Sequence, residues 1–252
     1  MEKNNISRLL HVFVPFIIMV MIQNLLRLLW SGIGFDGVTG ELISFVIASA
    51  SGVIFFTLTN PDDGVKIPKI GVFRSVLHLL FCIAMLIMCM YLVSMATNHY
   101  TTKSVNISAV YVVSVLLIHP IVEEYIFRGM FYRELRKINP IFGIIGTAIM
   151  FAIIHDSIDG MLYALVAGIF LGLATEKTGR HWVPVLAHML LNLRSLMYIE
   201  VLAENEVLRH GIDVGIVAAG FAGFLVLLIL KNIPTGQKTA ESEGETPWIE
   251  IE

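Results

Sequence analysis

The stretch Ile107–Leu135, ISAVYVVSVLLIHPIVEEYIFRGMFYREL, reads as a long apolar helix with ionisable groups set in its middle. An ionised Asp, Lys or Arg at the centre of a membrane helix costs about 2.5–3.5 kcal/mol on insertion scales, so polar residues there default to a functional role. Glu124 and Arg128 are four apart with the acid on the N-terminal side, the favoured order for pairing along one helix face. Such a pair makes burial tolerable by mutual neutralisation. Glu123 is turned by about 100° from Glu124, which leaves one carboxylate for structure and the other free to hold or activate a water.

Outward from this segment the chain keeps the same character. It is 56% hydrophobic and 15% charged over 252 residues, with a mean hydropathy of +0.80, values outside the range of a soluble domain. An all-α polytopic membrane bundle of about eight helices is expected, with spans at 9–30, 38–60, 74–96, 107–135, 140–156, 160–177, 182–199 and 212–231. Gly32, Gly34, Pro61, Pro68, Pro140, Gly160 and Gly179 supply the breaks. The chain divides into three N-terminal helices (1–106), a core of helices 4–7 (107–200), a last helix (201–231) and an acidic tail (232–252). The net charge of −3 and the acids between Glu241 and Glu252 exclude a nucleic-acid surface. Cys82 and Cys89, seven apart on one apolar helix, read as lipid- or core-facing and not as a disulfide.

Positive charge orients the spans, because Lys and Arg collect on the cytoplasmic side. With the N-terminus inside, twelve of the 17 Lys and Arg fall on inner segments. Lys103 and Arg209 fall outside, and Arg27, Arg128 and Arg194 lie within spans. Both termini are therefore expected in the cytoplasm, and the short loops and small size suggest a bacterial cell membrane protein. The sixth span carries Gly160, Ala164, Gly168 and Gly172 at four-residue intervals, a stripe that lets another helix approach closely.

Two further motifs join the first: Phe151-x-x-x-His155 and His188-x-x-x-Asn192. His188 and Asn192 share a face and can steady a developing oxyanion. Counting about 1.5 Å per residue from the inner helix ends puts Glu123 roughly 15 Å above Arg133, His155 roughly 22 Å above Pro140 and His188 roughly 9 Å above Trp182. These depths do not coincide, so convergence does not follow from counting. His119, four before Glu123, can face the same cavity, and Pro120 can bend the helix. Asn24 and Arg27 read as snorkelling or neighbour-paired, Asp156 and Asp159 as capping or solvated turn residues, and Arg194 has no assigned role.

The order E-E-x-x-x-R, F-x-x-x-H, H-x-x-x-N on successive membrane helices resembles the CPBP family. These are the CAAX-protease and bacteriocin-processing membrane proteins, also called Abi, which include type II CAAX prenyl endopeptidases. The motifs span 123–192 and the likeness extends over about 107–200. The resemblance implies an eight-helix intramembrane endopeptidase with a conical cavity open toward the cytosol and membrane. It assigns Glu123, helped by His155, to water activation, Glu124 and Arg128 to orienting the site, and His188 and Asn192 to the oxyanion. The family has also been described as metal-dependent, which would make Glu123, His155 and His188 ligands of zinc or another divalent ion. The chain has no His-Glu-x-x-His helix, and a glutamate-activated water without cofactor is the preferred reading. The implied substrate is a membrane-associated peptide or protein, in peptide maturation, bacteriocin self-immunity or CAAX-type processing. A non-catalytic membrane scaffold or immunity partner is the alternative. A proton relay is a third reading, disfavoured by the lack of inverted-repeat symmetry.

Overall fold

The computed structural model describes residues 3–35, 37–60, 66–97, 107–200 and 205–231; the acidic tail lies outside them. These residues form eight helices, with no strand among them: α1 (Lys3–Gly32), α2 (Val38–Thr59), α3 (Val72–Thr97), α4 (Ala109–Arg136), α5 (Pro140–Ile153), α6 (Ile158–Thr178), α7 (Trp182–Glu200) and α8 (Glu206–Leu230). All eight fall where the hydropathy pattern places a span. Six are long and apolar enough to cross a membrane, and the chain is an integral membrane protein. Helix α5 is apolar but only 14 residues long, about 21 Å against a hydrocarbon core of about 30 Å. Helix α7 is diluted by His188, Asn192 and Arg194.

Helix ends depart from the expected spans for local reasons. Helix α8 begins six residues early because the Asn205 side chain accepts a hydrogen bond from Leu208 N, capping a polar first turn ahead of the apolar run. Helix α5 stops at Ile153 because the His155 ring, through Nδ1, takes the Phe151 carbonyl at 2.9 Å, and the His155 N–H turns back to Ala152. His155 therefore sits on the turn beyond the helix and not inside a span. The cap of α6 is Ser157, whose hydroxyl accepts from Gly160 N; Asp156 instead pairs with Arg27.

The helix ends gather into two polar layers. At one end Arg8 of α1 and Asn60 at the close of α2 donate to Glu134 of α4. Arg136 of α4 forks onto Glu176 of α6. Arg74 of α3 donates to the Leu230 carbonyl of α8. At the opposite end Arg27 bridges Glu41 of α2 and Asp156. There too Arg194 of α7 grips Asp213 of α8 at 2.6 and 2.7 Å, stacks 4.2 Å over Tyr198, and shares Asp213 with the hydroxyls of Tyr91 and Tyr198. Arg194 thus joins α7, α8 and α3 and has a structural explanation.

Between these layers the helices touch through small residues, as they must where lipid offers no hydrophobic drive for association. The stripe on α6 meets α5: a Cβ on Gly168 would lie 2.8 Å from Ala148 Cα and Cβ, and one on Gly172 would lie 3.1 Å from Ile144. Gly223 of α8 rides over Leu77 of α3. Phe16, Phe56, Phe127 and Phe131 fill the space between α1, α2 and α4.

Gly168→Ala is expected to destabilise the bundle by about 1–3 kcal/mol through overpacking. Gly215→Ala, where no atom lies within 4 Å of the added Cβ, is expected to gain about 0.5–1 kcal/mol from helix propensity. Unfolding of the two variants in detergent, compared with wild type, measures both.

Candidate active site

Helix α4 is irregular around its glutamates. Ser114–Ile118 and Tyr125–Phe131 are π-type, flanking the α-helical His119–Glu124. Pro120 is the local cause of the first irregularity. The His119 N–H reaches back five residues to the Ser114 carbonyl, and Pro120 has no N–H, so the Val115 carbonyl loses both its α-type and its π-type donor. Asn192 of α7 supplies the missing bond, donating from Nδ2 to Val115 O at 2.9 Å. Its second amide hydrogen remains for other work.

Glu124 and Arg128 are wholly buried, with side chains 0% exposed. Arg128 donates to Glu124 Oε1 at 2.8 Å and to the Gly168 carbonyl of α6 at 3.2 Å. Its guanidinium lies 4.8 Å over the Phe151 ring. The same Glu124 oxygen meets His188 Nδ1 at 3.0 Å. With Nδ1–H donated to the carboxylate, His188 presents Nε2 on its far side, 3.8 Å from Glu123 Oε2. The other Glu123 oxygen faces His119 Nδ1, also at 3.8 Å. The His119 ring is stacked on Phe45 of α2, centroids 4.1 Å apart. Glu123 is thus held between two imidazoles while Glu124 absorbs the arginine charge.

His119 had only an i, i+4 spacing to recommend it, and the structure sets it against Glu123 as closely as His188. Phe151 also does more than mark a motif: its ring sits edge-on to His155 at 5.0 Å and to His188 at 5.7 Å, besides carrying Arg128. His155, His188 and Asn192 line one cavity of about 200 Å³ with Leu86, Tyr163 and Ser195. Glu123 is not among its lining residues, and His155 makes no hydrogen bond or ion pair with it. The cavity is walled by the later halves of α3 and α7 and the start of α6, the half of the bundle away from the Arg8–Glu134 layer. The resemblance combined with the charge bias expects an opening on the Lys- and Arg-rich side; this cavity lies in the other half.

The depth mismatch resolves through the start of α7. Gly179 closes α6 in the left-handed region (φ 62), and the 66–71 segment holds the turn, with Ile70 N donating to Thr178 O and Arg180 Nε to Ile70 O. His181 then lies beside Gly129, where an added Cβ would meet the ring at 3.1 Å. That is about 10 Å above Arg136, so His188 rises to about 20 Å and comes level with Glu124 at about 18 Å. Burial, reinforced by the Arg133 charge, lowers the pKa of His181 at this turn.

The zinc ligand set does not assemble. Among the described residues no three His, Cys, Asp or Glu side chains stand close enough to hold a metal. His188 and Glu123 approach, but His155 does not join them.

The fold and this buried cluster define a polytopic helical membrane protein with a polar site at mid-depth. Residues 103–194 match the family model described as type II CAAX prenyl endopeptidase Rce1-like, and the chain is similar to that family over this region. A curated relative, "Putative membrane peptidase YdiL" of Bacillus subtilis (strain 168), is 31% identical over 77 residues. The match covers 30% of this chain and 32% of that protein, about a third of the relative's length. No solved structure matches the chain.

Arg128→Met, which leaves Glu124 buried without its cation, is expected to cost about 3–5 kcal/mol. Asn192→Leu, which strips the Val115 carbonyl of its donor, is expected to cost about 1–3 kcal/mol. Loss of thermal midpoint in detergent reads out both, and an Arg128→Met protein as stable as wild type would overturn the central role of the pair.

Proposed function

We propose that the chain is an intramembrane endopeptidase hydrolysing a peptide bond of a membrane-associated peptide or protein, with peptide maturation, bacteriocin self-immunity or CAAX-type processing as its context. The observation that carries this reading is the Glu123 carboxylate, 8% exposed and flanked at 3.8 Å by His188 and His119. The names borne by the matching family and by the Bacillus subtilis relative support it.

The 3.8 Å between Glu123 Oε2 and His188 Nε2 is too long for a direct hydrogen bond, and in this reading a water about 2.8 Å from each, off the line joining them, bridges the two. It donates one hydrogen to each, which turns its lone pairs toward a substrate carbonyl. Glu123 takes a proton as the water oxygen attacks the carbonyl carbon, then returns that proton to the leaving nitrogen as the C–N bond breaks. One water is added across the bond and the carboxylate is regenerated. Glu124 and Arg128 fix the tautomer and position of His188. The free amide hydrogen of Asn192 serves the oxyanion. His155, with Nδ1 committed to Phe151 O, offers Nε2 across the cavity as a proton acceptor. The Lys- and Arg-rich layer faces the cytoplasm in this reading, so substrate reaches the cavity from the membrane or the opposite half.

Glu123→Gln keeps the shape of the side chain and removes the base. It is expected to lower peptide release at least about 100-fold while leaving the folded protein in the membrane. Comparing membrane peptides in cells carrying wild type, Glu123→Gln and His188→Ala checks this. Identical peptide profiles with the cellular phenotype retained would replace the peptidase by a non-catalytic scaffold.

A further inference from the structure

A second cavity, of about 500 Å³, lies between α3, α6 and α8 at the end of the bundle that carries Glu134, and shares no lining residue with the candidate site. Its walls repeat one pattern three times. Arg74 and Phe81 on α3, Lys177 and Phe170 on α6, and Lys231 and Phe224 on α8 are each seven residues apart. Two helical turns separate the members of each pair, so a ring of three cations stands about 10 Å above a floor of three phenylalanines. The levels are fixed by contacts, since Arg74 donates to the carbonyl of Leu230, next to Lys231, and Phe81 stacks on Phe224 at 4.4 Å. Among the described residues, none that lines the cavity is acidic. Glu176, next to Lys177 in sequence, faces Arg136 and Tyr132 instead.

A charged rim over an apolar shaft, set at the end of membrane helices, matches a molecule with an anionic head and a hydrocarbon tail. The volume falls within the range of small-molecule sites. We infer that this cavity holds one anionic phospholipid, its phosphate against Arg74, Lys177 and Lys231 and an acyl chain along Phe81, Phe170 and Phe224. The site is independent of the peptidase reading, because none of these residues touches the glutamate cluster.

The test is native mass spectrometry of the full chain released from nanodiscs of equal phosphatidylglycerol and phosphatidylcholine. Wild type is expected to retain one phosphatidylglycerol in preference. The triple variant R74Q/K177Q/K231Q is expected to lose that preference at least tenfold. Leu173→Trp, which keeps every charge and narrows the shaft, is expected to lose the bound lipid, and thermal midpoints close to wild type show that both variants fold. Equal retention of the two lipids by wild type, or a preference that survives both variants, overturns the inference. So does displacement of the lipid by inorganic phosphate, which marks a head-group site without a shaft. Lipid retention that appears only after residues 232–252 are removed makes the acidic tail the occupant and overturns it as well.

Discussion

A fully buried guanidinium at mid-membrane is the constraint on which the rest of this bundle depends. Arg128 cannot shed its proton, so the protein must surround it with acceptors. Glu124 comes from the same helix, the Gly168 carbonyl from α6 and the Phe151 face from α5. Glu124 in turn draws in His188 of α7. Four helices are thereby pinned around one charge. A buried pair of this kind is weak grounds for net stability, since its desolvation offsets much of its attraction. Its value here is geometric, because any slip of one helix would strand a charge in hydrocarbon.

The same neutralisation is what leaves Glu123 available. Were the arginine to reach both glutamates, neither carboxylate would be free to act as a base. The helical turn between adjacent residues separates them, so one faces the cation and the other faces two imidazole nitrogens. The irregular backbone contributes to the same end. Pro120 and the π-type turn beside it free the Val115 carbonyl, and the donor that answers it is Asn192, a motif residue that is then fixed at the edge of the cavity with a hydrogen to spare.

Polarity at the two ends of the bundle fixes the outer helices by a different device. The contacts there range from the exposed Arg27 pairs, which carry little energy each, to the buried Glu134 and Asp213 clusters, and they occur on nearly every helix and set the level of each end. The cluster of Asp213 with Arg194, Tyr91 and Tyr198 ties α7 and α8 to α3 on one side. The Arg8–Glu134–Asn60 contacts tie α1, α2 and α4 on the other.

Much of this was legible from the sequence. All eight helices lie where hydropathy places them, because a backbone in lipid has to satisfy its own hydrogen bonds and the apolar runs are long enough to do so. The Glu124–Arg128 pair was legible too, since i, i+4 neighbours share a face whatever the tertiary fold. What only the tertiary structure decided is which groups on different helices meet. The α6–α7 turn, closed by Gly179 and held by residues 66–71, starts α7 beside Gly129 and so raises His188 to the level of Glu124. The tertiary structure also stacked His119 on Phe45 of α2 and left His155 lining a cavity that Glu123 does not line. Hydropathy fixes where a helix lies along the chain but is blind to its vertical offset, which depends on turns and ion pairs between residues distant in sequence.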